Sequence, residues 1–190
     1  LDELVDILLA AGRPIGLAIE FKHSNPFGDD LEERTLKLLL RRGWLSQSST
    51  LANIQISFMS FDSGAMRYLS RTVPAAHLCQ LIAEVDVAEV LKELGLGALA
   101  AAGAAAAMQL AMDDGVRLLN DGSAGLAGPG VAYLRAQPAQ AQQWLDAGRS
   151  FRVWTVDEKA GLELCIEFGV QEVTTNRPAE IRALLDSNRR

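Results

Sequence analysis

Glu20, Phe21 and Lys22 close an apolar run over residues 15–22, and their order can do chemistry. In an extended chain successive side chains alternate between faces, so this spacing aims Glu20 and Lys22 to one side while Ile19 and Phe21 face the other. A carboxylate is a ligand for a hard divalent cation, and an ammonium beside it can hold a phosphoryl oxygen. In a strand of a parallel barrel both groups would sit at the C-terminal end, the face on which such barrels place their active sites. A structural ion pair at the barrel mouth satisfies the same spacing, and Glu-x-Lys alone does not separate the two readings.

The other reactive residue types are sparse. Cys79 and Cys165 stand singly in apolar surroundings, which predicts buried structural thiols rather than a disulfide framework or a zinc knuckle. The two histidines, His23 and His77, are too isolated for a His/Cys metal cluster. His23 reads as a surface or loop residue and His77, inside an apolar segment, as a packed core residue. Trp44 and Trp144 need no role beyond anchoring a helix face or a loop.

The elements that must position Glu20 and Lys22 alternate with a short period. In the last third, Pro138 opens a helix that stops at Gly148, 151–156 reads as a strand, Asp157 can cap a helix ending at Gly169, 170–175 reads as a strand, and Pro178 opens a final helix. The helix after Asp157 would turn Leu162, Cys165, Ile166 and Phe168 inward, and the final one Ile181, Leu184 and Leu185. Earlier, helices are predicted over 1–11, over 31–42 with Asp30 and Glu33 placed like a capping box, and over 64–71. Strands are predicted over 15–22, 54–61 and 76–83, with a short one near 124–127. Helix 88–94 and an Ala-rich helical run follow the third strand.

Six strands each followed by a helix imply a parallel sheet, as an open doubly wound sheet or a closed barrel. No Gly-x-Gly-x-x-Gly loop follows the first strand, which weakens the nucleotide-binding version. With 190 residues of 49% hydrophobic content the chain can bury a core and should form one domain, whereas a complete eight-unit barrel takes about 250 residues. The shortfall is about two βα units.

A formal net charge of -6 argues against a dedicated nucleic-acid binder and leaves room for a small anionic substrate held by local cations. The stretch 94–112 carries no charge, but Ala and Gly dominate it, so a packed helix is expected rather than a membrane span. The acidic opening helix is not a signal peptide, and the compartment expected is the cytoplasm.

Three segments in the last third resemble the end of the glycerophosphodiester phosphodiesterase family: Val153-Trp154-Thr155-Val156-Asp157, Phe168-Gly169-Val170 and Thr174-Thr175-Asn176-Arg177-Pro178. The family pattern there is Val-Trp-Thr-Val-Asn, a helix ending in Gly-Val-Asp, and Thr-Asp-x-Pro. Leu1-Asp2-Glu3-Leu4, Ala18-Ile19-Glu20-Phe21-Lys22 and Met59-Ser60-Phe61-Asp62 continue the resemblance backwards. Asp157 stands where Asn is usual and Asn176 where Asp is usual. The family's His-Arg-Gly strand, its Glu-x-Asp strand and its second His do not occur in this sequence.

The resemblance implies an incomplete TIM (β/α)8 barrel, the C-terminal three-quarters of the domain, truncated at its N-terminus. It implies hydrolysis of lipid-derived glycerophosphodiesters to an alcohol and glycerol 3-phosphate, with Ca2+ or Mg2+ as cofactor. Glu20 would be a metal ligand, Lys22 would offset phosphoryl charge, and Trp154 and Phe61 would wall the glycerol unless they only pack the barrel. The chain alone, without the histidine pair, would be inactive. A Schiff-base aldolase using Lys22 is a second enzyme class, and a degenerate barrel binding a ligand or partner is the non-enzymatic alternative. Two open strand edges would need covering by the missing units or by another copy in a homo-oligomer.

Overall fold

The computed structural model describes residues 1–22, 27–95 and 97–187, and strand and helix alternate through them. Six parallel strands, β1 (Ile15–Glu20), β3 (Ile54–Ser60), β4 (Leu78–Ile82), β5 (Leu126–Pro129), β6 (Ser150–Val153) and β7 (Glu172–Val173), are hydrogen-bonded in that order. A two-residue strand, β2 (Thr50–Leu51), pairs antiparallel with β3. The helices are α1 (Asp2–Ala10), α2 (Asp30–Arg41), α3 (Ser63–Leu69), α4 (Val87–Leu94), α5 (Ala98–Asp121), α6 (Val131–Ala136), α7 (Pro138–Asp146), α8 (Lys159–Glu167) and α9 (Pro178–Ser187). Strand β1 pairs along its length with β3, and β7 with β6, so the sheet curls as an incomplete (β/α)8 barrel with β1 and β7 at its edges.

Two apolar layers follow from the period of two in the strands. Ile56, Phe58, Leu78, Ile82, Phe151 and Val153 face the helices and join Leu39, Leu69, Leu119, Trp144 and Leu162 in the main core. Cys79, Leu81 and Leu126 point into the barrel, where Met59, Phe61 and Trp154 pack on them. Burying both faces explains why all five residues of β4 are buried. Helix α5 packs tightly on β4 at Gly115, where a Cβ would lie 2.8 Å from both Gln80 Nε2 and Ile82 Cδ1. Helix α1 is held to α2 by Arg42, which pairs with Asp2 and Asp6.

Several expectations need correction. The predicted capping box is not formed: α2 starts at Asp30, which puts Asp30 inside the first turn, and Glu33 pairs instead with Lys37 at 2.6 Å. Pro74 leads into a 3-10 turn over Ala75–His77, so β4 begins at Leu78 and His77 is half-buried at the strand's entrance rather than packed in the core. Ile166 is 46% exposed, because it sits one turn after Leu162 at the margin of the stripe that Gly161, Leu162 and Cys165 bury on α8. The strand predicted near 124–127 is β5, two residues further on, and α6 and β2 were not predicted. His23 lies outside the described residues. Both cysteines are buried and free. No described helix is long and apolar enough to cross a membrane.

Candidate active site

The C-terminal ends of the parallel strands form one rim. Strand β1 ends at Glu20, level with Met59 of β3, and the Phe21 amide still donates to the Met59 carbonyl at 2.8 Å. Phe21 is buried and stacks on Phe58 with ring centroids 6.1 Å apart, so its neighbours are turned the other way. Lys22 Nζ lies 3.9 Å from Glu20 Oε1, with side-chain exposures of 84% and 29%. The rim therefore brings together the acid and the ammonium that the sequence spacing paired.

Three strand ends are fastened behind this pair by buried side chains. Ser60 Oγ donates to the Phe21 carbonyl at 2.6 Å and accepts from the Asp62 amide at 3.0 Å. Gln80 Nε2 donates to the carbonyls of Ser60 and Phe61, each at 3.2 Å, and of Leu81 at 3.0 Å. Asp62, whose Oδ1 accepts from the Gly64 amide, caps α3 and fixes where the chain leaves the rim. Sequence reasoning missed Ser60 and Gln80 as site residues; the available signal was, for Gln80, a polar residue inside a strand whose other residues are apolar, and for Ser60 its place in the Met59-Ser60-Phe61-Asp62 segment.

Phe61 and Trp154 meet edge to face, with ring centroids 5.4 Å apart and an interplanar angle of 89°. Trp154 Nε1 donates to the Gly128 carbonyl at 2.7 Å, which fixes the indole across the end of β5. Met59 joins the two pairs, being level with Glu20 and packed on the cluster that holds both aromatic rings. One layer deeper, Arg152 spans the interior, donating from Nε to Glu172 at 2.7 Å and through its terminal nitrogen to Ser57 Oγ at 3.0 Å. Burial pushes the Cys79 thiol, in the same interior, up to about 12, so it is not a nucleophile at neutral pH.

Asp157 does not cap α8, whose N-cap position is Glu158. It reaches across to the loop after β7 instead. Oδ1 accepts from Thr175 Oγ1 at 2.9 Å and from the Asn176 amide at 2.7 Å, and Oδ2 accepts from Asn176 Nδ2 at 2.9 Å. The Asn176 side chain and amide, with Thr175 and Arg177 nearby, hold the carboxyl below its usual range.

A Ca2+ ion takes about six to eight oxygen ligands. Glu20 fits as one of them, a partly shielded carboxylate at the rim. Among the described residues no group of three or more His, Cys, Asp or Glu is placed to hold an ion, so these residues do not make a metal site by themselves.

Parallel strands with their polar groups gathered at one rim define a TIM-barrel protein, incomplete over the described residues, whose C-terminal face carries the candidate site. Its relatives identify the family. Residues 1–180 match the glycerophosphoryl diester phosphodiesterase family, and the chain belongs to it. It is 27% identical over 189 residues to "Probable glycerophosphodiester phosphodiesterase 1" of Mycobacterium tuberculosis, and it spans 59% of the length of that curated relative. Solved structures share the fold. A glycerophosphodiester phosphodiesterase from Parabacteroides distasonis aligns at TM-score 0.59 and 21% identity, covering 92% of this chain and 58% of that one. An Oleispira antarctica phosphodiesterase, solved with its product sn-glycerol-3-phosphate, aligns at TM-score 0.63 and 13% identity, covering 98% and 60%.

Proposed function

We propose that this chain forms the larger part of the catalytic barrel of a metal-dependent phosphodiesterase that hydrolyses glycerophosphodiesters to an alcohol and glycerol 3-phosphate. The observation that carries the reading is the Glu20–Lys22 pair, 3.9 Å apart on the rim of a barrel that belongs to this family. Glu20 supplies one carboxylate to a divalent ion, Ca2+ or Mg2+, which when bound polarises the phosphoryl group. Lys22, anchored through Phe21 and with its side chain 84% exposed, offsets the charge that grows on the phosphoryl oxygens. The Phe61–Trp154 corner forms an apolar wall against which the glycerol carbons pack. The product in the Oleispira structure supports glycerol 3-phosphate as the ligand class.

The family's acid–base histidine pair does not occur in this sequence, so the chain alone is expected to bind product without turning over substrate. Calorimetric titration of the chain with sn-glycerol 3-phosphate, with and without Ca2+ or Mg2+, tests the binding half; absence of binding in both conditions overturns it. Turnover of glycerophosphocholine by the full-length protein with added metal tests the catalytic half. The acid and amide exchanged at Asp157 and Asn176 relative to the family pattern favour a second reading, a non-catalytic barrel that keeps the ligand site. Product binding without turnover by the full-length protein would select it.

A further inference from the structure

Strand β7 is the shortest of the six parallel strands. It contributes two residues, pairs with β6 through Arg152↔Glu172 and Val153↔Val173, and lies at the end of the strand order. The rim loop that follows it nevertheless borders the Trp154–Thr155 segment. Backbone bonds carry the pairing one step past the strand, with the Thr174 amide donating to the Val153 carbonyl at 2.8 Å and the Val156 amide to the Thr174 carbonyl at 2.9 Å. Beyond that point the two loops are joined by side chains, namely the three bonds that Asp157 accepts from Thr175 and Asn176.

We propose that Asp157 and Asn176 form an acid–amide clamp that positions the Trp154–Thr155 wall against the loop after β7, so that both are positioning residues for ligand binding at the rim. The ligand-binding half of the proposal rests on the function proposed above. Relative to the family pattern, the two positions have exchanged acid and amide, and the geometry explains why the exchange is tolerated. Only one donor–acceptor bond, Asn176 Nδ2 to Asp157 Oδ2, involves both side-chain termini. With the amide at position 157 and the acid at position 176 that bond reverses its direction, while the side-chain amide oxygen at position 157 still accepts from Thr175 Oγ1 and from the backbone amide of residue 176. The two departures are therefore one reciprocal exchange rather than two separate losses. The exchange does move the negative charge from the end of β7 to the end of β6. There Arg177 is the charged neighbour whose field favours the ionised carboxylate, and Arg177 is itself 3.6 Å from Glu180.

Four proteins test the clamp: wild type, D157N, N176D and the exchanged double variant D157N/N176D. The first readout is hydrogen exchange at the residue-176 amide by NMR, which needs no ligand. N176D sets two carboxylates face to face, so protection at pH 7.5 should fall at least tenfold and recover near pH 4.5, where one proton can be shared. D157N keeps an oxygen acceptor and one amide donor and should lose about threefold. The exchanged variant should return to within about twofold of wild type and show no acid recovery. The second readout is the Kd for sn-glycerol 3-phosphate, which should follow the same order. Unchanged, pH-independent protection in N176D, or a double variant no better than N176D, overturns the clamp. Protection that follows the predicted order while wild type binds no glycerol 3-phosphate leaves the clamp standing and overturns the ligand.

Discussion

The hydroxyl of Ser60 donates to the carbonyl oxygen of Phe21 at 2.6 Å, tying the end of β3 to the end of β1 one residue before Lys22. Both residues are buried, so water cannot replace the bond. A buried polar group left without its partner costs about 1–3 kcal/mol. Ser60→Ala is therefore expected to lower the unfolding free energy by about 2 kcal/mol in a urea titration, and Ser60→Thr, which keeps the hydroxyl, by less. If the rim geometry depends on this tie, Ser60→Ala also weakens glycerol 3-phosphate binding under conditions where the protein stays folded. Equal urea midpoints for wild type and Ser60→Ala would remove the tie from the account.

Two glycines in α5 should respond in opposite directions to the same substitution. Alanine is favoured over glycine inside a helix by about 1 kcal/mol. At Gly103 nothing lies within 4 Å of an added Cβ, so Gly103→Ala should stabilise by about that amount. At Gly115 the Cβ would meet Gln80 Nε2 and Ile82 Cδ1 at 2.8 Å. Overpacking of this kind costs about 1–3 kcal/mol, and here it also disturbs the amide that holds the Ser60 and Phe61 carbonyls. Thermal unfolding should show a higher midpoint for Gly103→Ala and a lower one for Gly115→Ala. A gain at both positions would mean that α5 stands further from β4 than these distances state.

The parallel barrel was legible because its punctuation is local. Proline at Pro138 and Pro178 opens helices, Gly43 and Gly148 follow helix ends with φ of +88° and +79°, and β-branched or aromatic runs mark β3 and β6. Misses fell where a distant partner decides the structure. The strand expected near 124–127 lies two residues further on, because Leu126-Ala127-Gly128-Pro129 has almost no strand propensity and is a strand through β4 and β6, which pair with it on either side. Asp157 before a helix reads as a cap, yet its carboxylate goes to residues near Asn176, 19 positions along the chain. At the candidate site the Glu20–Lys22 pair was readable, since its spacing lies within one strand. Its support by Ser60 and Gln80 was not, since both act across strands.

Lys22 and Glu20 should matter for binding and hardly at all for stability. An ion pair at 3.9 Å whose lysine side chain is 84% exposed contributes about 0–1 kcal/mol. Lys22→Gln and Glu20→Gln are accordingly expected to leave the urea midpoint within error of wild type. A charge-assisted contact to phosphate is worth about 1.5–3 kcal/mol, so Lys22→Gln should weaken glycerol 3-phosphate binding by about tenfold or more. Glu20→Gln should reduce the enhancement of binding by Ca2+ or Mg2+. Affinities equal to wild type in both variants would return the pair to a structural role.

The two thiols predict how stability falls in alkali. Burial pushes Cys79 up to about 12 and Cys165 up to about 11, against about 8.5 for an exposed thiol. Above about pH 9 the unfolded chain therefore releases thiol protons that the folded chain retains, and the unfolded state then binds fewer protons. Stability must drop as pH rises, by about 1.4 kcal/mol per pH unit for each thiol that is ionised only when unfolded. The contribution is fully present below about pH 8 and is lost as pH climbs through about 9 to 11. Tyr133, pushed up to about 12 by burial, adds to the slope above about pH 10. Urea titrations between about pH 7.5 and 10.5 should show this decline in wild type and a shallower one in a Cys79→Ala/Cys165→Ala variant, even if that variant starts from a lower stability. Parallel slopes in the two proteins would mean that the thiols ionise as readily in the folded barrel as outside it, which is incompatible with their burial.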